Sequence, residues 1–396
     1  MSENNEIKEP LNKNYKVPKL RFKGFEEDWI VVNFYNHFTY FSTNSLSWDE
    51  LNYNYGDYLN LHYGIIHSNN SNLILSSSLP FINQDKLPKR FTLINEGDLI
   101  LTDTSEDRKD AAKGIEIINQ SNAHILSGLH TIHLREKAPC TIPGFKTYYV
   151  ASKSFRNFAR KYCEGIKVFS IKPSLLKYTH FAYPQNKNEQ FMIVDFFNKI
   201  EDKKAILEKK IDILKKYKEG LIKKLIKSSS KVMKLSQLIT VCEKTKLQSS
   251  YGKISGKYKF FVNSSDEITK WSDDYIFDGE YLILNTGGTA FTNYVNDKFS
   301  AMSDCLVVKP NSEYSITIYY WLKVVEKWIN EVGFQGTGLK HLDINWLLRQ
   351  KVKIIEYDNK KLSNFNKELN SLIELNSLVL EKLKLIKNIF LNLMFI

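Results

Sequence analysis

The sequence predicts an α+β chain in which two globular domains are separated by two long antiparallel coiled-coil helices, the halves related by a pseudo-two-fold axis. Three observations lead there. Two segments keep 3/4 apolar spacing over about five heptads each, beyond the reach of an ordinary core helix. These segments, and the stretches before them, repeat one another at an offset close to 172 residues. The remaining stretches are short Val, Ile, Tyr and Phe runs between Gly, Asn, Asp and Ser turns, mixed with helical patterns.

At 396 residues and 43% hydrophobic content the chain can bury a sizeable core in two or three domains. Residues 1–16 are polar and are expected to form a loose tail. The first domain is expected over 17–187, the first helix over 188–227, the second domain over 231–355 and the second helix over 358–396.

In the first helix the apolar seam consists of Ile193, Phe197, Ile200, Leu207, Ile211, Leu214, Leu221 and Leu225, with Lys204 and Lys218 at the two remaining seam positions. In the second it consists of Leu362, Phe365, Leu369, Leu372, Val379, Leu383, Ile386, Phe390 and Leu393, interrupted by Asn376. At an offset of 172, Lys204 falls on Asn376. A polar residue in an apolar seam fixes register at some cost in stability, so the coincidence suggests one ancestral helix used twice.

The repeat continues upstream. Tyr148 and Tyr149 fall opposite Tyr319 and Tyr320 at offset 171, and Gly165-Ile-Lys falls opposite Gly338-Leu-Lys at offset 173. Residues 94–104 resemble 276–286 at an offset of about 182. The drift places insertions in the first domain, expected in the Ser/Asn-rich run 67–78.

Only Ser228, Ser229 and Ser230 part the first helix from the second domain. Domain termini lie near one another, so the second helix starts where the first ended and returns antiparallel. A helix of about 35 residues spans on the order of 50 Å at 1.5 Å per residue. Such a spacer between repeated domains imitates a dimeric DNA reader with two half-sites at fixed separation.

Charge agrees with an anionic partner: 56 Lys+Arg against 44 Asp+Glu, net +12. Cys140, Cys163, Cys242 and Cys305 lie far apart without zinc spacing and are expected to be reduced. No signal peptide or membrane span is read, and a cytoplasmic location without membrane contact is expected. Catalytic motifs are missing. The segment from Gly252 to Tyr258 has the wrong spacing for a phosphate loop, and no two prolines are adjacent to form a methyltransferase motif. His130 and His133 lack metal-ligating company. No nucleophile elbow accompanies His341, and Asp103, Glu106 and Asp107 read better as a solvated loop than as a nuclease cluster.

Over nearly its whole length from Val17 the chain resembles the specificity subunit of type I restriction-modification systems. The opening Val17-Pro-Lys-Leu-Arg-Phe-Lys-Gly-Phe-Glu-Glu-Asp-Trp29 and the helix start Asn188-Glu-Gln carry the resemblance. The second helix departs from it, opening on Asp358-Asn-Lys-Lys. The resemblance implies two target recognition domains reading the halves of a split double-stranded DNA site, with the helices as a ruler. It implies two modification (methyltransferase) subunits docked on the chain, and restriction/translocase subunits joined through the complex. It implies no cofactor on this chain, with S-adenosylmethionine, ATP and Mg²⁺ on those partners. The chain itself is then a non-catalytic recognition subunit. The rival reading is a structural coiled-coil adaptor with protein-binding ends.

Base edges are read by flexible polar tips, whereas phosphates are held by Lys, Arg, hydroxyls and backbone N–H groups. In the first domain the loop 103–113 offers Arg108 for a base edge and Lys109 and Lys113 for phosphates. The run 67–72 offers Asn69 and Asn70 for adenine. In the second domain Asn285, Thr286, Gly287, Gly288 and Thr289 allow close backbone approach, and the loop 333–340 offers Gln335, Thr337 and Lys340.

Overall fold

The computed structural model describes residues 17–68, 73–75, 78–118, 123–264, 270–355 and 359–396. It forms two compact units, Met1–Glu208 with Leu378–Ile396, and Lys209–Ser377.

The first unit is built on a five-stranded sheet in the order Phe38–Phe41, Thr131–Glu136, Leu99–Thr102, Gly114–Ile118, Leu73–Leu75. Neighbours are antiparallel except the last pair, which is parallel. Leu99–Thr102 is buried at every position, and its unalternating apolar run reflects cover on both faces. Helices α1 (Phe34–His37), α2 (Tyr63–Ser68), α3 (Phe145–Ala151) and α4 (Lys153–Tyr162) pack around it. Phe145, Tyr148 and Tyr149 of α3 join Phe34, Leu99, Leu101 and Phe181 in one core. Ile30–Asn33 pairs with His180–Tyr183, so the unit opens and closes on adjacent strands. The chain then enters α5 (Lys187–Ser228).

In the second unit the sheet order is Ile239–Val241, Cys305–Pro310, Phe277–Asn285, Thr292–Ala301, Tyr258–Phe261, Lys270–Ser272. Its first five strands reproduce the first unit's order and sense, including the parallel pair. Helices α6 (Ser315–Trp328) and α7 (Ile344–Leu348) follow, and Val232–Lys234 pairs with Lys351–Lys353 as the opening and closing strands. Two copies of one topology are thus present. The first unit adds a four-stranded sheet, His124–Ser127, Tyr58–Leu61, Phe81–Ile82 and Leu51–Asn52. Its extra length is therefore spread well beyond the run 67–78.

The last helix is α8 (Asn359–Met394). In the first unit contacts run from Phe197 with Phe395 (6.0 Å between rings) to Glu201 with Lys387 (2.6 Å), so the α5 and α8 segments there pack antiparallel. In the second unit Lys218 Nζ donates to Asn370 Oδ1 at 2.6 Å.

On α5, Ile193, Phe197, Ile200 and Lys204 are buried and Leu207, Ile211 and Leu214 half-buried. On α8 the inward face differs from the expected one. Leu369 and Asn376 are buried, and Phe365 and Leu383 half-buried. Leu372, Val379 and Ile386, by contrast, are 39%, 39% and 40% exposed, while Asn366, Leu380 and Lys387 are buried. Half of the α8 seam is thus displaced by one residue. The cause is polar: Tyr320 donates its hydroxyl to Asn366 Oδ1, and Lys387 reaches Glu201. These bonds turn the helix onto a phase that apolar spacing alone does not select, because Leu and Ile residues occur all round α8.

Candidate nucleic-acid interface

In the first unit the central strand Leu99–Thr102 delivers the chain into a loop anchored at its root. Asp103 N donates to His130 O (3.1 Å), and Asp103 Oδ1 accepts from Thr104 Oγ1 (2.6 Å) and from His130 Nδ1 (3.0 Å). A carboxylate can only accept, so the proton sits on Nδ1. His130 holds a left-handed backbone, φ 55°, and its ring stands edge-on to Tyr63 at 5.2 Å. A left-handed non-glycine residue persists only where its surroundings impose it.

Farther along, Asp107 caps the short turn Arg108–Asp110 by accepting from Lys109 N (2.8 Å). Arg108 is exposed, with Nε donating to Arg160 O (3.1 Å) and its guanidinium 5.9 Å from the Phe169 ring. Lys109 is exposed. Lys113 is half-buried and donates to His67 O (3.1 Å); burial pushes its pKa below that of an ordinary lysine. It serves as a strut of the loop. Arg156 of α4, which sequence reasoning missed, binds the carbonyls of Lys109 (2.5 Å), Ala111 (2.6 Å) and Ala112 (3.0 Å). Its burial lowers its pKa to about 10. Asn69 and Asn70 lie outside the described residues.

In the second unit the two nominated segments come together. Leu342 N donates to Thr286 O (2.9 Å), Gly288 N to Lys340 O (3.0 Å), and Gly287 bridges His341. Asn285 is buried, with Nδ2 donating to Ser264 O (2.9 Å), and Thr286 Oγ1 donates to Asp304 O (2.6 Å). Both are spent on the scaffold. Gly288 (φ 77°), Thr289, Gln335, Thr337 and Lys340 are exposed.

The first unit repeats this junction. Ile171 N donates to Asp103 O (2.8 Å), the counterpart of Leu342 N to Thr286 O, and Phe169–Ser170 pairs with Thr104–Ser105. The Glu164–Ser170 bridge and the Gln335–His341 pair set the repeat here at 171. Gly165 therefore corresponds to Gly336, not Gly338; both have φ 131°. The earlier match at 173 slid by two residues because a Gly-aliphatic-Lys triplet occurs by chance in both hairpins. In each unit, then, the loop after the central strand is zipped to a hairpin opened by a left-handed glycine.

Residues 227–385 match the family model described as Type I restriction modification DNA specificity domain. Over that stretch the chain is similar to the type I restriction-modification specificity family. A solved structure of the type I restriction-modification system S subunit from M. genitalium is similar in fold: TM-score 0.61 at 16% identity, covering 96% of this chain and 99% of that one. A chain from a study of complex assembly and conformational transition of the type I R-M system gives TM-score 0.54 at 12% identity, covering 92% and 96%. No curated protein matches the sequence.

Other clusters in the first unit and elsewhere are structural. His133, fully buried, bonds Asp98 Oδ2 at 2.7 Å, and Arg135 grips the same carboxylate at 2.7 Å. Among the described residues no three His, Cys, Asp or Glu side chains converge as metal ligands, and Cys140, Cys163, Cys242 and Cys305 are free thiols. Lys253 lies in a β-bridge to Trp271 and pairs with Asp273 (2.5 Å), a strand edge in place of a phosphate loop. No described helix is long and apolar enough to cross a membrane.

Proposed function

We propose that this chain is the DNA-recognition subunit of a type I restriction-modification complex, reading a bipartite, asymmetric double-stranded site with one half read by each domain. The observation that carries this is the duplicated junction: the same hydrogen bond, Ile171 N to Asp103 O and Leu342 N to Thr286 O, fastens the same two loops in both units. Duplicated scaffolds with different exposed residues make two readers of different sequences. Arg108, Lys109, Thr289, Gln335, Thr337 and Lys340 are the reading and phosphate-holding groups, with Asn69 and Asn70 as further candidates on the first domain.

The same reading gives the long helices the work of holding the domains apart and seating two modification subunits. Exposed aliphatic residues on α8 favour it: Leu385 is 60% and Ile389 45% exposed. An apolar stripe of this kind suits partner helices. S-adenosylmethionine, ATP and Mg²⁺ belong to the modification and restriction subunits, and this chain is non-catalytic.

Co-expression with a modification subunit followed by genome-wide mapping of methylated adenine tests the reading. Two short half-sites at a fixed gap are expected. Methylation without a split motif overturns it, and a purified chain complex that binds partner proteins but retains no nucleic acid points to the adaptor.

A further inference from the structure

Each unit ends its zipped junction in a hairpin tip, and each tip carries aliphatic side chains in solvent. In the first, Ile166 is 94% and Val168 52% exposed; in the second, Leu339 is 71% exposed. A single exposed aliphatic residue is commonplace. Here the position recurs, since at the 171 offset Val168 corresponds to Leu339. The backbone beneath is also shared. A Cβ on Gly165 would lie 1.9 Å from Val168 O, and one on Gly336 3.1 Å from Leu339 O, so in both hairpins the glycine lets the tip fold back over it. The tips have a basic setting: Lys167 and Lys340 sit beside them, and Arg108 lies over Phe169 at the foot of the first.

We propose that Ile166 and Val168 in the first domain, and Leu339 in the second, are apolar DNA contacts that pack on base edges in the major groove. Thymine methyl groups are the base-edge feature an aliphatic side chain can read, and flanking lysines supply the phosphate contacts that hold the tip there. The inference rests on the DNA-reading function proposed above. It adds the 164–170 hairpin to the first reader, which the sequence did not single out. It also assigns the difference between the two readers partly to position 166, where the second unit has Thr337.

The test uses the full chain complexed with its modification subunit. Variants Ile166→Ser with Val168→Ser, and separately Leu339→Ser, are compared with wild type by methylated-adenine mapping and by binding to cognate and mismatched duplexes across salt. These side chains have few protein contacts to lose, and a thermal melt checks folding. The first variant is expected to lose roughly tenfold discrimination at one half-site only, and the second at the other. The salt slope stays unchanged because no phosphate contact is removed. Unchanged discrimination in both variants overturns the proposal. So does loss of the modification subunit with discrimination intact, which would make the tips protein contacts. A wild-type complex without a split motif fails before any variant is compared, and overturns the function reading together with this one.

Discussion

Arg21 grips Glu189 with two parallel bonds, Nε to Oε1 at 2.7 Å and Nη2 to Oε2 at 2.8 Å, and Trp29 Nε1 donates to the same Oε1 at 3.2 Å. Glu189 is fully buried at the start of α5, and Leu20 N donates to Leu393 O near the end of α8. Gln190, next in sequence, accepts from Ile142 N (2.9 Å) and donates to Pro184 O (2.7 Å). The segment 17–29 and the Asn188-Glu-Gln helix start, far apart in sequence, are two halves of one clasp.

Removing one partner of a buried, bidentate pair strands the other. Arg21→Ala is expected to destabilise the first unit by about 3 kcal/mol, and Arg21→Ala with Glu189→Ala by less than the sum of the single changes. A double-mutant cycle by denaturant unfolding measures this; additive losses would show that the pair is not coupled.

Asp98 sets a pH dependence. Burial favours its neutral form, yet hydrogen bonds from Arg135, His133 and Asn95 N outweigh that and hold its pKa below the ordinary aspartate value. A depressed folded-state pKa contributes stability that is present at neutral pH and is lost as pH falls below about 4 toward the folded-state value. Melting temperature should drop steeply there in wild type. Asp98→Asn should melt lower at pH 7, with the gap closing in acid; a constant gap would contradict the assignment.

Arg156 closes the 103–113 loop from behind, through three carbonyls. Arg156→Ala leaves those carbonyls unpaired and should cost about 1–3 kcal/mol. Because Arg108 and Lys109 ride on that loop, recognition of one half-site should relax while the other stays sharp. Equal loss at both halves would indicate general unfolding.

The ruler proposed for α5 and α8 can be lengthened. Seven residues inserted after Glu208 and seven after Ser377, where the two units divide, keep the heptad phase and add about 10 Å at 1.5 Å per residue. At 3.4 Å per base pair the gap between half-sites should grow by about three base pairs with both half-sites unchanged. An unaltered gap in the methylation map would reject the ruler.

The duplication was legible because it is written in backbone-forming residues: Leu-Ile-Leu in Leu99–Thr102 returns in Phe277–Asn285 as the same central strand. The seam on α5 was legible too, since its apolar residues lie mainly on one face. On α8 they do not, and Asn366 and Lys387 fell outside the expected seam although Tyr320 and Glu201 draw them inside. Periodicity counts apolar spacing and is blind to a hydrogen-bond partner from elsewhere in the chain. For the same reason Lys113 was expected on a phosphate and Asn285 in a loop approaching DNA, whereas His67 O and Ser264 O hold their side chains in the scaffold.

Each unit begins and ends on neighbouring antiparallel strands, Ile30–Asn33 with His180–Tyr183 and Val232–Lys234 with Lys351–Lys353. A globular part that the chain enters and leaves at one doorway is, genetically, a cassette. A recombination event can replace everything between the paired strands with another version and leave the doorway and the helices untouched. Under the proposed function, the fold thereby separates the part of the gene that stays fixed for assembly from the part that can change its word in a single step.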